Sequence, residues 1–154
     1  MSPVRRLARP LLASTFVLGG ASALRAPAAR VELARAAGLS DPEALVRVNA
    51  AAMLAGGLAL ATGRLPRLSS LVLAGTLVPT TVVGHPFWSE TDRTGRAAQR
   101  TQFAKNLSIL GGLLISAADT GGRESIPHAA GRLSRRAARR TQQAAKQAQA
   151  HLPG

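Results

Sequence analysis

The chain of 154 residues has no cysteine, which excludes disulfides, thiol redox chemistry and cysteine-ligated zinc or iron–sulfur centres. It has no tyrosine, one tryptophan and three phenylalanines, too few rings for the stacking platforms of single-stranded nucleic-acid binders. Acids are scarce as well, 7 against 20 lysines and arginines, so the formal net charge is +13. Such an excess points to nucleic acid or to an anionic membrane surface. Little polar surface remains once alanine, leucine and glycine are counted, and the arginines flank apolar stretches rather than interrupting them. The composition therefore favours a membrane and argues against nucleic acid.

What the chain does have is four apolar segments near the roughly 20 residues that a spanning helix needs. They cover residues 7–24, 44–63, 65–84 and 99–118. None alternates with period two, so the expectation is all-α: an integral membrane four-helix bundle with a basic, helical C-terminal tail. Residues 1–126 are expected to form the transmembrane domain and residues 127–154 the cytoplasmic tail. Gly19/Gly20, Gly56/Gly57 and Gly111/Gly112 fall within three of the spans, where small residues let helix backbones approach closely. Pro79 should kink the third span, with Thr80 or Thr81 taking up the carbonyl it frees.

The first 26 residues also fit a second reading. A basic start, an apolar middle and "ASA" at 21–23 resemble a cleavable signal peptide, which would leave three spans. With four spans, the N-terminus, the 63–68 turn and the tail share one side and carry twelve lysines and arginines. The other side carries seven, which places both termini in the cytoplasm of a multi-pass plasma-membrane protein.

Ring chemistry concentrates in "GHPFW", residues 84–88, just before "RAAQRTQFAKN". The apolar run Leu107–Ala118 covers only about 18 Å of a hydrocarbon core of about 30 Å. The fourth helix must therefore start near Gln99, drawing Gln102, Lys105 and Asn106 into the outer part of the bilayer. Polar groups at that depth are costly unless they face the bundle interior. Arg47 and Asn49 enter at the same level on the second span, and His85 and Trp88 leave there on the third. The expectation is an outer ligand pocket of Arg47, Asn49, His85, Trp88, Gln102, Lys105 and Asn106. Each has a plainer role too: Trp88 as an interfacial anchor, Lys105 and Arg47 snorkelling, and the asparagines as interhelical bridges. No catalytic triad, paired carboxylate or multi-histidine metal site accompanies them, so no catalytic residue and no metal are expected. Glu90 and Asp92 are the nearest acids and could fold over the pocket.

"RVNAAAMLAGGLALATGRLPRLSSLVLAGTLVPTTVVGHPFW" and "QRTQFAKNLSILGGLL" resemble the DoxX family of small bacterial membrane proteins, and within it the actinobacterial branch. The resemblance covers about residues 5–126. It implies four retained spans, association with a membrane redox assembly linked to quinone or oxidative stress, and quinone as the cofactor to consider. The leading expectation is a non-catalytic accessory subunit with redox-enzyme partners. The alternatives are a small-molecule binder or permease using the same pocket, and a structural scaffold. The absence of cysteine argues against sulfur chemistry by this chain itself.

In the tail, Arg132, Arg135, Arg136, Arg139 and Arg140 make one stripe of a helix suited to anionic lipid headgroups, at about 1 kcal/mol each. A solvated tail fits the same composition.

Overall fold

The computed structural model describes residues 3–119, which form one unit built from five α-helices and, among the described residues, no strand. They are α1 (Pro3–Arg25), α2 (Ala28–Ala36), α3 (Pro42–Ala61), α4 (Pro66–Gly84) and α5 (Arg93–Ala118). The all-helical expectation holds. The tail stripe Arg132–Arg140 lies outside the described residues.

Three helices, α1, α3 and α4, are long and apolar enough to cross a membrane. α5 is 26 residues, about 39 Å, but its first half is polar. It begins six residues before the expected Gln99, because Asp92 caps it by accepting from Gly95 N at 2.6 Å. Asp92 is thus a helix cap and not part of a lid. The carbonyl of Glu90 receives Arg96, at 2.7 Å from Nη2, while its side chain packs against Gly95.

The short helix α2 has no counterpart in the sequence reading, although its signals are present. Pro27 precedes it, and Val31 and Ala34 form a one-turn apolar stripe that is buried. Gly38 closes it at φ +79°, with Gly38 N bonded to Arg35 O and Leu39 N to Ala34 O. Gly63 ends α3 in the same way at φ +72°, through Leu60 O and Ala59 O. These are Schellman caps, and the left-handed position they need favours glycine. Pro66 then opens α4, so "TGRLP" is a tight helix–helix turn.

α3 is central, packing on α1 and α4, and α5 packs chiefly on α4. Glycine sets the α1–α3 distance. A Cβ on Gly20 would sit 2.7 Å from Ala50 O and 2.9 Å from Leu54 N. One on Gly57 would sit 3.2 Å from Val17 N. Each glycine therefore receives the other helix's backbone, the close approach that small residues allow in lipid. Gly56 receives Leu73 of α4 instead. The α5 pair does not act this way, since a Cβ on Gly111 would meet nothing within 4 Å.

The core is one cluster that includes Ala13, Phe16, Leu60, Leu73 and Leu113, all fully buried. At the end away from α2, Arg5 pairs with Asp119 at 2.8 Å, Arg67 donates to Ala117 O, and Ser70 bonds Ser116 at 2.8 Å. Those contacts tie the start of α1 and α4 to the end of α5.

Candidate functional site

The α2 half of the unit holds a cleft of about 760 Å³, open along one side. Its walls come from the second half of α1, from α2, from the first half of α3 and from the second half of α4, with Asn106 and Ile109 of α5 behind. Most of the lining is apolar, including Phe16, Leu45, Met53 and Leu77. Polar groups gather where α4 ends, at Thr76, Thr80 and His85, joined by Asn49 from α3 and Asn106 from α5.

Helix periodicity explains this gathering. Thr76 and Thr80 lie one turn apart on α4, and Asn49 of α3 donates from Nδ2 to Thr80 Oγ1 at 3.1 Å. On the other side of α4, Asn106 Nδ2 donates to Thr81 Oγ1 at 3.0 Å. Two asparagines thus grip adjacent threonines and tie α3, α4 and α5 together at one level. In lipid each such bond contributes roughly 0.6–2 kcal/mol. His85, just past α4, holds Gln99 through Nδ1 at 2.8 Å and so fixes the loop against α5.

The seven residues of the expected pocket divide. Asn49, His85 and Asn106 line the cleft; Arg47, Trp88, Gln102 and Lys105 do not. Arg47 is exposed and pairs with Glu43 one turn earlier on its own helix, at 2.9 Å. Lys105 is exposed and donates to Gln102 Oε1 at 2.6 Å, so those two form a surface pair while Asn106 turns inward. Among the described residues, the acceptor for Lys105 is therefore Gln102 and no group from another helix.

Trp88 is 54% exposed and makes an edge-to-face trio with Phe87 and Phe103, at centroid distances of 5.1 and 5.9 Å. Three of the chain's four phenylalanine and tryptophan rings thus staple the 85–92 loop to α5. That contact accounts for the ring-rich stretch without a ligand.

The threonines near Pro79 also differ from expectation. Thr80 Oγ1 donates to Thr76 O and Thr81 Oγ1 to Leu77 O, so neither takes the Gly75 carbonyl that Pro79 leaves without its helical partner. Gly75 and Pro79 both line the cleft.

Sequence reading missed Arg30, Leu33 and Ala34 because it missed α2, and missed Thr76 and Gly75 because hydroxyls and glycine in a span suggest packing. The signal available was the spacing Gly75, Thr76, Pro79, Thr80, one face of a helix whose proline frees a carbonyl. Among the described residues, no group of three or more histidines and acids is placed to hold a metal ion.

Long apolar helices, glycine-mediated packing and a half-open cleft define a small helical membrane protein. The chain belongs to the DoxX family, whose sequence profile matches residues 5–86. The match takes in α1 to α4 and ends at Pro86, inside "GHPFW", so α5 with its "QFAKNLSILGGLL" lies beyond it. No curated protein and no solved structure matches the chain.

Proposed function

We propose that this DoxX-family protein is a non-catalytic membrane subunit that holds a lipophilic small molecule, of the quinone class in size and polarity, for a redox assembly of the bacterial plasma membrane. The observation that carries the reading is the cleft itself. At about 760 Å³ it falls in the size range of small-molecule sites, with apolar walls and a few polar groups at one end. The redox setting rests on family membership alone.

A permease needs a path through the bundle, and the fully buried Leu60, Leu73 and Leu113 fill the interior beyond the cleft. That packing favours a binder over a permease. A bare scaffold would have no use for a cleft lined by Asn49, His85 and Asn106.

The topology proposed is four spans with both termini cytoplasmic, which sets the α2 end and the cleft on the outer side. Lysine and arginine counts support it. α5 crosses by keeping Gln102 and Lys105 at the interface and Asn106 against α4. Reporter fusions after Gly154 should read as cytoplasmic and fusions near Ser89 as external; the reverse pattern would overturn the orientation. The tail arginines would then meet anionic headgroups of the inner leaflet.

Native mass spectrometry of the full chain released from its own membrane tests the binding role. A small lipophilic adduct that is present on the wild type and absent from Gly75→Phe, whose ring would occupy the cleft, supports it. Identical spectra would reject the cleft as a binding site. A redox enzyme recovered with the chain would support the subunit role, and a chain recovered alone would leave the binder without an assembly.

A further inference from the structure

The hydrogen-bond directions around the cleft are fixed by the threonines. Thr80 gives its one hydroxyl hydrogen to Thr76 O at 2.8 Å, so it can offer Asn49 only a lone pair. Asn49 must therefore present its amino group there, and that same nitrogen lies 3.5 Å from Met53 Sδ. Both of its N–H groups are engaged, and its Oδ1 accepts from no described residue. Thr81 is committed in the same way to Leu77 O at 2.7 Å, which sets Asn106 with its nitrogen toward Thr81 and its Oδ1 left over. Thr76 donates to Leu73 O.

His85 Nδ1 faces Gln99 Oε1 at 2.8 Å, which spends that edge of the ring on α5. Pro79 has no N–H to give the Gly75 carbonyl one turn before it. Beside the α4 threonines, then, the amide oxygens of Asn49 and Asn106 stand against one unspent amide hydrogen of Asn106. The remaining donors in the lining sit elsewhere: Thr15 on α1, and Arg30 of α2, which reaches Ala26 O and Ser22 Oγ at 3.4 Å. No carboxylate lines the cleft, so nothing there neutralises a cationic ligand.

We infer that the cleft takes a neutral lipophilic molecule through a hydroxyl group that the ligand donates, the phenol and hydroquinone class, in preference to the same skeleton with that hydroxyl capped or oxidised. The inference rests on the cleft being a binding site and adds which hydrogen-bonding partner it selects. An acceptor-only ligand would leave Asn49 Oδ1 and Asn106 Oδ1 desolvated and unpaired, which is the expensive arrangement.

The test compares 4-nonylphenol with its methyl ether, which share size and apolar tail and differ in the donor. Each is titrated by calorimetry into the full chain in lipid nanodiscs, with empty discs subtracted to remove partitioning. The phenol should bind about tenfold tighter, the worth of one well-made hydrogen bond. In Asn49→Leu, which removes one of the two free amide oxygens, the ratio should fall. Size-exclusion retention and helicity serve as the folding check, and the wild-type ratio stands whether or not that variant folds. Equal affinities, or a tighter ether, would overturn the donor preference while leaving the cleft as a site. No saturable binding of either probe above empty discs would overturn the site and the inference together.

Discussion

Asn106 of α5 donates to Thr81 of α4 at 3.0 Å, joining the least apolar of the four long helices to the one that supplies two of the cleft's polar side chains, Thr76 and Thr80. This bond shares the seating of α5 with the Arg67, Ser70 and His85 contacts. A double-mutant cycle with Asn106→Ala and Thr81→Ala, measured by thermal or denaturant unfolding in detergent, should give a coupling of about 0.6 kcal/mol and no more than about 2. A coupling near zero would mean that α5 is held by apolar packing, the aromatic trio and its other polar contacts.

The glycines make opposite predictions. Gly20→Ala puts a methyl group 2.7 Å from Ala50 O and 2.9 Å from Leu54 N, where only backbone could give way. It should cost about 1–3 kcal/mol of stability. Gly111→Ala meets nothing within 4 Å and should be neutral or stabilise by up to about 1 kcal/mol through helix propensity. Unfolding midpoints of the two variants in one detergent decide the matter. Equal losses would contradict the α1–α3 contact described above.

Those two glycines also mark how far the sequence could be read. Four apolar stretches and their small residues were legible, because span length and hydropathy are properties of composition. Which glycine touches a neighbour was not, since Gly20 and Gly111 sit in near-identical local contexts and differ only in which face meets another helix. The pocket shows the same boundary. Arg47 and Asn49 are two residues apart, about 200° around a helix, so they cannot share a face. They share a depth but not a face, and Glu43 one turn before Arg47 is its partner. Gln102, Lys105 and Asn106 are closer in angle, and only packing against Thr81 decides that Asn106 turns inward. α2 escaped because nine residues are too few for a span and its apolar stripe is just Val31 and Ala34.

Arg47 and Lys105, paired on the surface with Glu43 and Gln102, should matter little to the cleft. Arg47→Met and Lys105→Met should each change stability by less than about 1 kcal/mol, as exposed pairs do. Phenol affinity should stay within about twofold in both variants. A tenfold loss with Lys105→Met would restore the charge to the site.

Trp88 is the one tryptophan, half exposed in the trio that staples the 85–92 loop to α5. An indole just past a span belongs at the headgroup level. Its fluorescence should be quenched most by lipids brominated near the glycerol and least by those brominated at the chain end. Since Trp88 lies outside the cleft lining, its emission should not respond to a saturating phenol. The opposite depth profile would displace the membrane boundary from the end of α4.

The claim that the cleft holds a lipophilic molecule is tested most directly at Met53, which lines it and is one of only two methionines. Methionine labelled with carbon-13 at its methyl group gives a two-signal spectrum, assigned with Met53→Leu. Titrating 4-nonylphenol into the labelled chain in nanodiscs should move the Met53 signal saturably and leave Met1 in place, and Gly75→Phe should abolish the movement. A Met53 signal that stays fixed while the discs take up the phenol would contradict the account.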